Sequence, residues 1–388
     1  MTAGYPSESD IYNKAFVHTR VKYYRENGLD VQVFLYNRSK HEAEQYEFEG
    51  VPVTVGDDEV LDALTAGDRV EKLLFHFQTI GLGPLLARQL ERGMPTVVWF
   101  HGYGADGWHR RWWEHIDSPM DLRDWVRGRA EHNRRTRDFF QEFLGRADLP
   151  VHSVFVSAWF RDHVFGPDMG IIPVRSSIIN NPIDTHRFSY HPPAPEARNK
   201  ILLLRPFDRR FYGNDLAVAA IEKLSRKSWF SELEFTVAGE GQYWDELTAR
   251  VAQFDNVSLR HGFIPQREIP ALHREHGVFL VPSRKDTQGV SRDEAMSSGL
   301  VPVTNDVDAI SEFVTHRRDG WLAPTDDVDG LAEGIEILRQ DISLFHSMSA
   351  AAAVRVRQER SLDIVGPQEV SLIAETPVIG RQTERSDV

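Results

Sequence analysis

Two carboxylates, Asp286 and Glu294, stand eight residues apart with Gly289 between them. The apolar run from Val278 to Pro282 predicts a strand, the residues after Ser283 a loop, and the segment through Glu294 a helix. A helix that begins near Gly289 or Val290 aims unpaired backbone N–H groups at that loop, which makes an anion site. Asp286 then stands just before the helix and Glu294 inside it. Such a pair brackets a bound phosphate and can accept hydrogen bonds from sugar hydroxyls. The plainer alternative is that Glu294 solvates its own helix and Asp286 is an ordinary loop carboxylate.

Other reactive side chains fall at the ends of expected strands. Arg205 and Arg210 follow the run from Lys200 to Leu204 at i and i+5, and arginine suits phosphate because it donates two hydrogen bonds at once. The plainer alternative is that Arg205 pairs with Asp208 or Asp215. Gly239-Glu240-Gly241 makes a tight turn after the run 235–238, and Phe263 and Ile264 follow His261-Gly262. His101 ends the run from Thr96 to Phe100, with an ordinary pKa close to neutrality. Between Leu122 and Arg137, Arg123, Arg127, Arg129, Arg134, Arg135 and Arg137 outnumber Asp124 and Glu131, with Trp108, Trp112, Trp113 and Trp125 nearby. That patch fits anionic lipid headgroups, a charged acceptor, or simply a solvated helix face. Asp306-Val-Asp308, Asp327-Val-Asp329 and the pair His273 and His276 read as surface, so no metal is expected.

Positioning these groups takes alternating strands and helices, which reads as parallel sheets covered by helices on both faces, an α/β protein. Nine or more strands are long for one sheet, so the chain divides. The break falls in Asn181 to Pro195, a stretch with four prolines and no periodicity. The expected domains are 1–182 and 183–365, each Rossmann-like, followed by a tail over 366–388. The chain opens on Met-Thr-Ala-Gly-Tyr-Pro, a strand-to-helix turn with no strand before it. Its 388 residues include no cysteine, which removes disulfides and thiolate chemistry, and a net charge of −13 argues against a nucleic-acid partner. No apolar run approaches the ~18 residues of a membrane span, and no signal peptide is evident, so a cytoplasmic enzyme is expected.

Over some forty residues the sequence resembles the retaining GT-B glycosyltransferases of the GT4-type, group 1 family. Their signature is a strand, Pro-Ser, Glu-Gly-Phe-Gly, Glu-Ala-Met, a glycine and Pro-Val. Here the matches are Pro282-Ser283, Asp286-Thr287-Gln288-Gly289, Glu294-Ala295-Met296, Gly299 and Pro302-Val303. Glu312 and Gly320-Trp321-Leu322-Ala323-Pro324 continue the likeness, and Asn180-Asn181-Pro182-Ile183-Asp184 with Phe188 resembles the family's interdomain linker. Asp replaces the first Glu, Thr-Gln replaces Gly-Phe, and Leu204 replaces a glycine before Arg205.

The resemblance implies two Rossmann-like domains facing each other across a cleft, with transfer of a sugar from a nucleotide-diphosphate donor at retained anomeric configuration. It places Arg205 and Arg210 on the diphosphate, Glu294 on the ribose, and Asp286 with Thr287 and Gln288 on the sugar. Gly289 and Val290 would meet the phosphates, Phe263 and Ile264 the base, and His101 the acceptor side, while Gly239 would help bind the donor. Trp108, Arg127, Arg134 and Arg135 would meet the acceptor or the inner face of a membrane. No cofactor is implied, because the nucleotide sugar is a substrate; the acceptor would be a saccharide or lipid-linked, in surface polysaccharide or glycoconjugate synthesis. A GT-B relative that epimerises or phosphorolyses sugars, and a non-enzymatic nucleotide-sugar binder, stand as alternatives.

Overall fold

The computed structural model describes residues 1–8, 10, 13–67, 69–76, 80–102, 104–110, 112–114 and 118–376. Two compact units emerge: Met1–Asn180 together with the chain from Gly366 onward, and Asn181–Val365.

In the first unit Met1 and Thr2 bridge two sets of strands. Thr2 N donates to Phe34 O and Tyr36 N to Thr2 O, both at 3.0 Å, while His76 N donates to Met1 O at 3.0 Å. Met1 and Thr2 therefore join the three strands Val33–Tyr36, Val51–Gly56 and Glu44–Phe48 to the parallel set Leu73–His76, Thr96–Phe100, Val151–Phe155 and Ser176–Ile178. The hairpin Glu44–Phe48 to Val51–Gly56 turns through Glu49 and Gly50, both at positive φ, as a two-residue turn requires. The strand Thr96–Phe100 is buried at every position and ends directly at His101, so the sheet delivers that histidine to its C-terminal edge.

Residues 366–375, expected to be tail, belong to the helix Leu362–Glu375. Glu369 is the reason that segment is ordered. Wholly buried, it accepts from Arg20 Nε at 3.0 Å, Tyr24 Oη at 2.6 Å and Trp99 Nε1 at 3.2 Å. A buried carboxylate is tolerated only with partners of this kind. Residues 377–388, the rest of the expected tail, lie outside the described residues.

The second unit is a six-stranded sheet, parallel throughout. Its spatial order is Val257–His261, Glu234–Gly239, Lys200–Leu204, Val278–Leu280, Val301–Asn305, Trp321–Ala323. Numbered within the unit that is 3-2-1-4-5-6, the doubly wound Rossmann order, whose ligands bind beyond the strand C-termini where the order reverses. Here the reversal lies between Lys200–Leu204 and Val278–Leu280. Helix Asn214–Leu224 packs Ala217, Ile221 and Leu224 against one face of that sheet, over Ile201, Leu203 and Val237. The segment expected as a free linker is packed instead: Ile183 and Phe188 are buried with Met296, Ile310 and Val356.

Candidate functional site

Arg205 follows the first strand of the second unit and Ser283 follows the fourth, so both stand at the reversal point. Arg205 is buried, and its Nη1 and Nη2 donate to Ser283 Oγ at 3.2 and 3.1 Å. Its Nη2 lies 3.9 Å from Asp286 Oδ2, and its guanidinium sits over Tyr212 at 5.1 Å. Gly239 lets this happen: a Cβ there would stand 2.0 Å from the Arg205 carbonyl oxygen. The glycine expected to help bind the donor allows close packing between neighbouring strand ends.

Arg284 joins the loop at 205–213 to the loop at 282–289. Its amide donates to Phe211 O at 2.9 Å, its Nη1 to Arg210 O at 3.0 Å, and Nη1 and Nη2 reach the Asp215 carboxylate at 2.8 and 2.7 Å. Asp215, considered as a partner for Arg205, is therefore taken by Arg284. Arg210 itself is half-buried, with its guanidinium 5.9 Å from the Tyr243 ring.

Asp286 is held from its backbone. Asp308 Oδ2 accepts its amide at 3.1 Å and Ala309 N donates to its carbonyl at 3.2 Å, while its own Oδ1 accepts from Gln288 N at 3.1 Å. Asp308, read as surface, is a clamp on this loop. Gly289 follows at φ 89°, and helix Val290–Ser298 starts there without a side-chain cap, so its first N–H groups face outward with no partner inside the helix. Val290 packs its side chain with Ile183 and Met296, leaving its amide to the helix start.

Gln288 does not point to a sugar. Its side chain is buried; Oε1 accepts from Asn181 N at 2.6 Å, and Nε2 donates to Asn181 O at 2.9 Å and Asp293 Oδ2 at 3.2 Å. A polar side chain taking an interior position must be saturated by its neighbours, and here it is. Thr287 remains half-buried in the same loop.

Glu294 lies inside the helix with Gln266, Arg187 and Asp184 around it. Burial, above all, pushes its carboxyl up to about 8, with Arg187 opposing and Asp293 and Asp184 adding to the rise. Phe263 is 53 % exposed beyond Gly262, whereas Ile264 packs with Leu272, Phe279 and Val281.

In the first unit, His101 Nε2 stands 3.0 Å from His76 Nδ1, and the two rings stack. His76 is buried against Trp99, and desolvation, with help from the neighbouring His101 and Arg20, holds its pKa well below the usual histidine value. Nothing in the local sequence around His101 signals this partner 25 residues away. Trp108 is fixed by its backbone, its N donating to Asn133 Oδ1 at 2.7 Å. The arginine patch is less charged than its count suggests. It lies on helix Pro119–Leu144, where Arg134 sits between Glu131 and Asp138 at 2.7 and 2.9 Å, while Arg127 and Arg135 are exposed. The side chain of Trp112 lies outside the described residues.

The remaining sequence candidates are structural. Asp327 caps helix Val328–Gln340 through Gly330 N, and His273 and His276 are buried rather than on the surface, bonded to Ser298 and Thr236. Among the described residues no three His, Asp or Glu side chains gather as a metal site, and no helix is long and apolar enough to cross a membrane.

Comparison with known proteins bears on the same residues. Residues 198–341 match the family model described as Glycosyl transferases group 1. A putative colanic acid biosynthesis glycosyltransferase, WcaL of Salmonella typhimurium, is 26% identical over 60% of this chain and 58% of its own. The amylovoran biosynthesis glycosyltransferase AmsK of Erwinia amylovora is 32% identical over 32% of this chain and 33% of its own. The chain thus spans less than two thirds of the length of these curated relatives. Among solved structures, sucrose-phosphate synthase from Thermosynechococcus elongatus superposes with a TM-score of 0.71 at 16% identity, covering 95% of this chain and 93% of that one. Anabaena HepE in complex with UDP and glucose gives 0.64 at 15%, covering 84% and 87%. Likeness at such identities speaks for the fold, and the fold is GT-B. The segment that contains Arg205, Asp286 and Glu294 is thus similar to the group 1 glycosyltransferases.

Proposed function

We propose that this protein is a retaining glycosyltransferase, with the second unit holding a nucleoside-diphosphate sugar and the sugar passing to a saccharide or lipid-linked acceptor. The observation that carries the reading is the pairing, at the reversal point of one Rossmann sheet, of a buried arginine with an uncapped helix start. Arg205 and the N–H groups at Gly289 and Val290 are aimed where a diphosphate would lie, and Arg210 follows on the adjoining loop. As the bond between anomeric carbon and phosphate breaks, charge grows on the diphosphate, and fixed donors of this kind stabilise it without reorganising. The sugar becomes oxocarbenium-like. The acceptor hydroxyl then attacks from the face being vacated and passes its proton to the departing phosphate. Asp286 would hold a sugar hydroxyl, Glu294 the ribose, and Phe263 the base. HepE, a structural neighbour solved with UDP and glucose, supports a donor of this class.

The test is a panel of UDP-, GDP- and ADP-sugars incubated with the full chain, first alone and then with oligosaccharide and polyprenyl-linked acceptors. Release of the nucleoside diphosphate is expected with one donor, and NMR of the product should show the donor's anomeric configuration. Inversion would refute retention. Absence of any release, together with no nucleoside diphosphate raising the melting temperature, would refute the donor assignment.

A further inference from the structure

Behind the loop at 286–289 the fold buries more positive charge than its own carboxylates balance. Arg292, Asp293 and Arg360 are each at most 1% exposed. Asp293 Oδ1 accepts from Arg292 Nη2 at 2.9 Å, and its Oδ2 lies 3.2 Å from Arg360 Nε. Glu359, the other acidic partner of Arg360, is half exposed. The two guanidinium groups lie over the same ring, Phe313, at 5.4 and 5.2 Å. Two buried cations thus share one buried carboxylate.

Arg292 is the third residue of helix Val290–Ser298, and its side chain folds back to the helix start, where Nη2 donates to Gln288 O. Its Nη1 is shut off from solvent and has no hydrogen-bond partner among the described residues. That nitrogen lies 2.8 Å from the point where a Cβ on Gly289 would stand, and Asp286 Oδ2 lies 3.0 Å from the same point. Each feature is unfavourable in the empty protein. A cation at a helix N-terminus opposes the helix dipole, a buried donor without an acceptor costs stability, and the helix start lacks a cap. One addition relieves the first and the last: an anion over Gly289.

We propose that Arg292 is a positioning residue for a diphosphate group at this helix start, an inference that rests on the nucleoside-diphosphate reading above. It acts from beneath the loop. By drawing the Gln288 carbonyl inward it turns the Gly289 N–H to the opposite side, because the peptide unit is planar and trans. Its charge, screened little in the interior, adds to the field that an anion meets there.

Arg292→Met and Arg292→Lys in the full chain test this, with calorimetric titration of inorganic pyrophosphate and of UDP, GDP and ADP, and with melting curves. Arg292→Met is expected to bind pyrophosphate and the preferred nucleotide at least tenfold more weakly, and to show a smaller ligand-induced rise in melting temperature. Arg292→Lys, which keeps the charge and loses the fork, should fall between. A lower melting temperature with wild-type affinity would overturn the proposal, because Arg292 would then serve the fold alone. If Arg292→Met does not fold, wild-type affinity in Arg292→Lys overturns it. Wild-type protein that binds pyrophosphate but none of the three nucleotides would refute the nucleotide reading and leave Arg292 to be judged on pyrophosphate; binding of neither would refute both.

Discussion

Replacing Glu294 by Gln should change how stability depends on pH, and the sign follows from the side chain's surroundings. Burial, more than the opposing pull of Arg187, lifts its carboxyl from 4.5 to about 8. Between those values the folded protein holds a proton that the unfolded chain has released, so stability falls as pH rises through the window. At about 1.4 kcal/mol for each pKa unit the full effect would approach ~5 kcal/mol. Glu294 is only partly shielded from solvent, and screening reduces this to about 1–2 kcal/mol. Glu294→Gln fills the same space and carries no charge. Urea unfolding at pH 5, 7 and 9 should therefore find the variant close to wild type at pH 5 and more stable by about 1–2 kcal/mol at pH 9. A difference between the two proteins that stays constant from pH 5 to 9 would refute the reasoning, and a wild type that gains on the variant as pH rises would reverse it.

Asp286→Asn should lower turnover strongly while leaving affinity for the free nucleoside diphosphate nearly unchanged, because the carboxylate is assigned to the sugar in its transition state; parallel kinetics and titration decide it, and full turnover would make Asp286 an ordinary loop carboxylate. A chelator should leave turnover intact, since Arg205, Arg210 and the helix start are assigned the work of a divalent ion; activity lost in EDTA and restored by manganese would contradict that. Gln288→Phe, although it restores the family's residue, should destabilise the second unit by about 2–4 kcal/mol, because it strips partners from the buried backbone groups of Asn181 and from Asp293. Chemical denaturation measures it, and an unchanged midpoint would show that the loop repacks.

Central strands were easy to read because burial on both faces leaves an unbroken apolar run, as in Ile201 to Leu204. The strand Glu44–Phe48 pairs only with Val51–Gly56 and is mostly exposed, so its residues carry no such run. Its turn, Glu49-Gly50, lacks the asparagine or aspartate that usually marks two positive-φ positions. The bridge made by Met1 and Thr2 is too short for any periodicity. Candidate residues that end strands, Arg205 and His101, could be placed from the sequence for a topological reason: a parallel sheet brings its strand C-termini to one edge. Their supports could not. Arg284 finds Asp215 across 69 residues, Asp308 reaches Asp286 across 22, and His76 meets His101 across 25. Spacing along the chain carries no trace of such pairs.

Gln288 shows why a departure from a family's pattern is a poor guide to what a residue touches. A glutamine in a ligand loop invites the inference that it faces the ligand, and that inference holds only if the backbone turns the side chain outward. Here the backbone turns it inward. The buried amide must then be satisfied on every side. Asn181 supplies a donor and an acceptor, Asp293 supplies a second acceptor, and Asp293 in turn is held by Arg292 and Arg360. One polar substitution in the loop is therefore matched by charged residues on the following helix and at position 360. The side chain of Gln288 thus acts behind the loop, where it sets the conformation, and it leaves Asp286, Gly289 and the helix start as the groups proposed to meet a donor.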